Sequence, residues 1–338
     1  MRAAIVGCGS IAHVHAAAIG ELPGITLAAA ADIRPERAAE FQQRYGCAAY
    51  SSLKEMLARE ELDVLHICTP HYLHVPMLCY GLEHGVHVFS EKPPVISREQ
   101  LRELQSLKSG KRFGFCFQNR YNPSIRAAKE LLASGQAGKV LGARGIVTWS
   151  RDAAYYTDSG WRGRLETEGG GALINQSIHT LDLLVYLLGK PLAVEATTRN
   201  HHLKGIIEVE DTMEAFIRFA DGKHALFYAS TAYCDNVPPL IEVSCEHLTI
   251  RIEDQSLTYL YRDGHSEQPE LPQARALGKN YWGSGHKRCI EDFYQAIAEH
   301  RSFPQDLPGT LDTICLMLGA YESARMGNEI DLLDTYGL

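Results

Sequence analysis

One short run limits the fold of this chain more than any other: Gly7-Cys8-Gly9-Ser10-Ile11-Ala12, placed between an apolar segment, Ala3–Val6, and a helical pattern, Ile11–Gly20. A G-x-G-x-x-A run at a strand-to-helix junction has a mechanical reading. Gly7 permits the tight turn, Gly9 lets the backbone approach a pyrophosphate with Ser10 and Ile11 opening the helix beside it, and Ala12 lets that helix pack close. Taken alone, the run could be an ordinary glycine-rich βα turn. Asp32, however, closes the second apolar segment, Thr26–Ala31, 23 residues after Gly9, where a carboxylate accepts hydrogen bonds from an adenosine ribose. Together the two features predict dinucleotide binding. Asp32 would repel a ribose 2′-phosphate and so favours NAD, whereas Arg34, two residues on, could pair with that phosphate and keeps NADP open.

The alternation continues for about 120 residues. Strands are expected at Ala3–Val6, Thr26–Ala31, Val64–Cys68, Val86–Phe89 and Phe113–Gln118, with helices at Ile11–Gly20, Pro35–Tyr45, Ser52–Ala58, Val75–Glu83 and Arg98–Ser109. Right-handed crossovers then require a Rossmann-type, doubly wound parallel sheet, the α/β part of the fold. After a helix at Ser124–Ser134 the texture changes to longer alternating strands: Val140–Trp149, Leu192–Arg199, Thr212–Phe219, Lys223–Thr231, Leu240–Cys245, Leu248–Glu253 and Leu257–Tyr261. Helices are expected at Ala172–Leu188, Gly285–Ala298 and Leu311–Arg325. This predicts a Rossmann domain over residues 1–120 and an α+β domain with an open, mostly antiparallel sheet over 121–338, whose last helix could return to the first domain. Asp263–Lys279 reads as a mobile loop.

Composition narrows the partners. A formal net charge of -8 and the absence of any Lys/Arg run argue against nucleic acid. No stretch approaches the length of uninterrupted apolar residues that spans a membrane, and the opening run reads as a strand with no basic leader, so a cytoplasmic location is expected. The nine cysteines are scattered, form no C-x-x-C pair and no Cys/His metal spacing, and read as reduced core residues with no metal site.

Further motifs follow in order: Cys68-Thr69-Pro70-His71-Tyr72-Leu73-His74, Glu91-Lys92-Pro93, and Gly169-Gly170-Gly171 leading into Asn175-x-x-x-His179-x-x-Asp182. The ordered set resembles the glucose-fructose oxidoreductase, inositol dehydrogenase and MocA (Gfo/Idh/MocA) family over nearly the whole chain. That resemblance implies an NAD(P)-dependent dehydrogenase acting on a sugar or polyol. It makes Thr69, Pro70, His71, His74, Glu91 and Gln118 neighbours of the cofactor, Lys92 and His179 catalytic residues, and the protein a homodimer or homotetramer. Gln118-Asn119-Arg120-Tyr121-Asn122-Pro123 is similar to the family segment that links nicotinamide to substrate, and Trp161-Arg162 to its substrate-facing loop. An aromatic face with an arginine and amides suits a sugar ring.

Asn175 and His179, four apart on an expected helix, share a face with Asp182 three residues further on. The commoner family pattern has an aspartate where this chain has Asn175, followed by Gln176. Its loss removes a negative charge from the surroundings of His179 and eases a neutral, basic imidazole. Asn-Gln-x-x-His resembles the branch of sugar 3-dehydrogenases, which makes oxidation of a secondary hydroxyl at C3 the expected reaction. The alternatives are a transient oxidation serving epimerisation or glycosidic cleavage with tightly held NAD, an inositol dehydrogenase, and a non-catalytic NAD-binding regulator.

Overall fold

The computed structural model describes residues 1–273, 277 and 283–337. They form two compact units, one from Met1–Gln118 plus the stretch that ends at Thr310, the other from Asn119 onward plus the chain from Leu311.

In the first unit, strands β1 (Arg2–Val6), β2 (Thr26–Ala31), β3 (Ala48–Tyr50), β4 (Val64–Ile67), β5 (His87–Ser90) and β6 (Phe113–Phe115) build a parallel sheet of order β3-β2-β1-β4-β5-β6. Between them run helices α1 (Ser10–Gly20), α2 (Pro35–Tyr45), α3 (Leu53–Arg59), α4 (His74–Glu83) and α5 (Arg98–Ser106). Local chemistry sets their ends. The Ser52 and Ser97 hydroxyls cap α3 and α5 by accepting from Glu55 N and Gln100 N, Pro35 opens α2, and Gly46 closes it in the left-handed conformation. Strand order reverses between β1 and β4, so the loops after these two strands diverge and leave a crevice at their carboxyl ends. Both loops carry sequence motifs. The edge strand β3 was not expected, because three half-buried residues carry no period.

The second unit begins with α6 (Pro123–Ser134), β7 (Val140–Thr148), α7 (Ala153–Thr157) and α8 (Leu165–Glu168), followed by α9 (Ile178–Leu188). Strands β8 (Pro191–Arg199), β9 (Thr212–Phe219), β10 (His224–Ser230), β11 (Leu240–Cys245), β12 (Leu248–Glu253), β13 (Ser256–Tyr261) and β14 (Ser266–Glu267) come next. The chain then passes through α10 (His286–Ala298), which lies in the first unit, and α11 (Leu307–Met326), and ends with β15 (Ile330–Asp331) and α12 (Leu332–Tyr336). The sheet runs β14-β13-β12-β11-β7-β10-β9-β8-β15 and is antiparallel except where β7 meets β10. One face is covered by helices: α9 lies on β7, where a Cβ at Gly145 would stand 2.9 Å from Thr180 Cγ2. The other face shows Phe216 and Leu226 to solvent, the latter 58% exposed.

Three expectations need correction. The helix expected over Ala172–Leu188 is a wide π turn at Ala172–Ser177 followed by α9. Apolar periodicity cannot register one extra residue per turn; the Ser177 hydroxyl, donating to Ala172 O (2.7 Å) and Leu173 O (3.3 Å), occupies carbonyls that the wide turn exposes. The Gly285–Ala298 segment, expected in the second domain, is α10 of the first unit and packs on α1. Its buried stripe of Cys289, Ile290, Phe293 and Tyr294 marks an amphipathic helix without saying which sheet it covers. Within the expected loop Asp263–Lys279, β14 pairs with β13; residues 274–276 and 278–279 lie outside the described residues. All nine cysteines are unbridged, and all but Cys234 are buried. Among the described residues no helix is long and apolar enough to cross a membrane.

Candidate active site

The two glycines of the β1–α1 turn are required for different reasons. Gly7 has φ +88, and a Cβ there would stand 2.7 Å from Cys68 O and 2.9 Å from Thr69 Cγ2, so the fold itself demands glycine. At Gly9 a Cβ would meet no protein atom within 4 Å, and the backbone is extended. Packing does not explain Gly9; open space in front of it leaves the helix start accessible. Gly9 is the N-cap of α1 but supplies no side-chain acceptor, and the first turn holds no acidic residue, so the Ser10 and Ile11 end of the helix keeps its positive dipole. Ala12 is fully buried against the sheet. The Asp32 carboxylate is oriented by two backbone donors, Cys8 N to Oδ2 and Arg34 N to Oδ1, both 2.8 Å. Each oxygen retains a lone pair for a ribose hydroxyl. Arg34 itself is exposed. These residues fit a dinucleotide.

The loops after β4 and β5 are cross-linked by His74. Its Nδ1 lies 2.9 Å from Pro93 O and its Nε2 2.9 Å from Thr69 O, tying Thr69-Pro70 to Lys92-Pro93, whose peptide bond is cis. A neutral imidazole donates from one nitrogen only, and burial lowers the pKa of His74, so one of these carbonyls goes without its proton. His71 is buried with its ring centroid 5.8 Å from that of His74. Lys92 is half-buried, and its N–H donates to Glu91 Oε2 (3.3 Å).

Glu91 turns back into the core. Its Oε1 accepts from His15 Nε2 (2.9 Å), His15 Nδ1 meets His66 Nδ1 (2.9 Å), and His66 Nε2 meets Tyr294 Oη (2.8 Å). Burial alone would lower the pKa of His15, but hydrogen bonds and charge from Cys116 and Glu91 hold it up to about 9. Burial and the His15 charge push His66 well down. A protonated His15 therefore donates both ways, and a neutral His66 accepts from it and donates to Tyr294. Burial also lowers His286, to about 4, against the pull of Glu91. His15, Glu91 and Cys116 have ligand-type atoms within 4.8 Å of one another, but hydrogen bonds already engage them. Gln118, which follows β6, is buried and takes a weak Cys116 Sγ contact at 3.8 Å.

In the second unit, Asn175, Gln176 and His179 are the half-buried residues of an otherwise buried run from Gly171 to Thr180. The Gly169-Gly170-Gly171 turn ahead of them is packed tightly: a Cβ at Gly170 would strike the Tyr321 hydroxyl, and one at Gly171 the Glu210 carbonyl. Asn175 Nδ2 donates to Glu168 Oε1, and Glu168 Oε2 accepts from Gly163 N (2.5 Å). Burial pushes the Glu168 carboxyl up to about 7 against the pull of these donors and of Arg162. Gln176 donates to the Tyr155 hydroxyl (2.7 Å) and accepts from Arg151 Nε (3.1 Å). The Tyr155 ring is flanked by the Arg151 and Arg162 guanidinium carbons, at 5.2 and 4.6 Å from its centroid, and Arg162 also stacks on Trp161 (4.9 Å). Arg162 Nε is buried with no hydrogen-bond acceptor among the described residues.

Arg120 is committed to Asp182 through a two-pronged pair (2.9 and 2.5 Å), and Thr313 donates to the same carboxylate (2.8 Å). Asp182 is buried, so its shared helical face with Asn175 leads to a structural ion pair. Tyr121 is half-buried at the end of the 3-10 turn Gln118–Tyr121. The sequence reading missed His15, Arg151, Tyr155 and Glu168. For Glu168 a signal existed: an acid directly before three glycines.

A glycine turn open to solvent at Gly9, an uncapped helix start and a doubly held aspartate are the features of a dinucleotide-binding protein. Residues 1–113 match the family model described as the oxidoreductase family, NAD-binding Rossmann fold, and residues 125–251 match the Gfo/Idh/MocA C-terminal domain. The chain is 26% identical to a D-glucoside 3-dehydrogenase of Escherichia coli (strain K12), over 98% of this chain and 97% of the relative. It is equally similar, at 26%, to a levoglucosan dehydrogenase of Pseudarthrobacter phenanthrenivorans, over 98% of both. Among solved structures, the WlbA dehydrogenase of Bordetella pertussis in complex with NADH and UDP-GlcNAcA is 28% identical, covers 98% of each chain and superposes with a TM-score of 0.84. This chain belongs to the Gfo/Idh/MocA family of NAD-binding oxidoreductases.

Proposed function

We propose that this dehydrogenase oxidises a secondary hydroxyl of a sugar or glycoside, at C3, to a ketone. Bound NAD would supply the hydride acceptor for oxidation at the carbinol carbon. The first unit serves as the dinucleotide domain: the Gly9, Ser10 and Ile11 backbone holds the pyrophosphate, Asp32 the ribose, and Thr69, Pro70 and His71 the nicotinamide side. The second unit serves as the substrate domain. Lys92 and His179 share the work of removing the hydroxyl proton, Asn175 orients that hydroxyl, and Trp161 and Arg162 present a stacking face and a cation to the ring.

The observation that carries this reading is the half-buried polar row Asn175, Gln176 and His179 in a buried helical run. It occurs in a chain that aligns end to end with a D-glucoside 3-dehydrogenase. A screen of glycosides, inositols and nucleotide sugars for NADH formation tests it. Turnover of glycosides with NAD is expected; saturable NAD binding with no turnover of any of these compounds would make the protein a regulator.

The same reading includes assembly and location. The sheet face bearing Phe216 and Leu226 pairs with a second copy to give a homodimer or homotetramer, burying apolar surface that helices leave uncovered. Nine unbridged thiols suit the reducing cytoplasm. Light scattering at micromolar concentration should return a multiple of the chain mass, and a monomer would refute the pairing.

A further inference from the structure

We propose that Glu168 is a positioning residue of the substrate site: its buried carboxylate, anchored on the Gly163 N–H, holds the Asn175 amide in one of its two orientations and so fixes the polarity that Asn175 presents to the substrate. This rests on the reading of Asn175 and His179 as substrate-facing residues. An asparagine amide has a donor end and an acceptor end of nearly equal size, and only its partners decide which way it points. An ionised carboxylate is an acceptor on both oxygens. Glu168 therefore selects Nδ2 and turns Oδ1 to the opposite end of the amide. A negative charge that an aspartate at position 175 would carry is thus present after all, placed behind the amide, while position 175 keeps an acceptor oxygen.

The geometry is built to hold this arrangement. Glu168 has no exposed surface and ends α8, the chain turns at Gly169 with φ +85, and two further glycines press the backbone against Tyr321 and Glu210 before the π turn brings Asn175 back to the carboxylate. The groups that face Glu168 are Arg162 from its loop, Tyr156 from α7, Glu210 from the segment before β9, and Tyr321 from α11. Arg162 favours the charged carboxylate, whereas burial and Glu210 oppose it, and the outcome is titration at about 7. Protonation gives Glu168 an O–H donor that matches Asn175 Oδ1, which permits the flipped amide and removes the acceptor polarity on the acid side.

The test is the pH profile of kcat/KM for the glycoside in wild type, Glu168→Gln and Asn175→Asp, with infrared titration of the protonated carboxyl as a readout apart from activity. Wild type should lose activity below about pH 7 as a protonated-carboxyl band appears, and Glu168→Gln should lack that band. The variant should also lose the limb and fall about 10- to 100-fold in kcat/KM at pH 8, the size of a hydrogen bond to a charged group, with NAD affinity unchanged. Asn175→Asp places a second carboxyl against Glu168 and should move the band and the limb upward; it carries the test if Glu168→Gln does not fold. A limb and rate unchanged in Glu168→Gln, or a band unmoved in Asn175→Asp, would overturn the proposal. Full activity in Asn175→Ala and His179→Ala would instead overturn the site reading beneath it.

Discussion

Behind Lys92, in the first unit, four buried side chains pass hydrogen bonds from Glu91 through His15 and His66 to Tyr294, each acceptor facing a donor. Around Tyr155, in the second unit, two guanidinium groups flank one ring, Arg162 Nε lacks an acceptor among the described residues, and a carboxyl with no exposed surface titrates near neutrality. The first arrangement is complete without any ligand; the second holds groups whose electrostatics are unfinished. A network that satisfies itself contributes to stability and fixes the backbone of the residue it adjoins, whereas unsatisfied polar groups mark where binding is to be completed.

The largest effects should come from the two groups proposed to move the proton. Lys92→Ala and His179→Ala should each lower kcat by roughly 10²- to 10⁴-fold with NAD affinity within a few-fold of wild type, and the double variant should be little worse than the poorer single one. Isothermal titration with NAD and steady-state rates check both halves. Fully additive losses would mean that the two residues serve separate steps.

Breaking the complete network should reduce stability more than chemistry. His15→Leu leaves Glu91 buried without its cation, which is expected to destabilise by about 3–5 kcal/mol in denaturant titration. Because the folded His15 pKa of about 9 lies above its ordinary value of 6.5, its contribution is full below pH 6.5 and fades as pH rises through 9. Wild-type stability should therefore decline over that window, and His15→Leu should flatten the slope. An equal slope in the variant would assign the decline to another group.

The unfinished region should show the opposite pattern. Arg162→Leu removes a guanidinium whose Nε has no acceptor among the described residues but which draws Glu168 toward its charged form, so it should cost less stability than His15→Leu while raising KM for the sugar about tenfold. A drop in melting temperature with unchanged KM would make Arg162 a packing residue. The smallest effect concerns Asp32→Ala, which should narrow the preference for NAD over NADP by several-fold in dinucleotide titrations. Equal wild-type affinity for the two would show that Arg34 governs the choice.

The same contrast explains what could be read from the sequence. The Gly7–Ala12 turn, Asp32 and the two-unit plan follow from spacings of a few residues and from the switch between helical and strand periods. The network behind Lys92 joins His66 to Tyr294 across 228 positions, and nothing local in the α10 pattern says that it packs on α1. Asn175 and His179 were visible as a polar pair four apart, but the partner of Asn175 was not, because Glu168 reaches it only through a turn at Gly169 and a π turn that apolar spacing cannot distinguish from an α-helix. Arg120 shows the reverse case. A motif suggested a substrate contact, and the ion pair with Asp182 occupies its guanidinium.

Isotope transfer tests the central claim most directly. With a glycoside carrying deuterium at C3 and one equivalent of NAD, mass spectrometry of the products should find the label on the reduced nicotinamide and a ketone at C3 of the sugar. Unlabelled NADH with deuterium retained at C3 would place the oxidation at another carbon, and no reduced nicotinamide with any glycoside, inositol or nucleotide sugar would contradict the account.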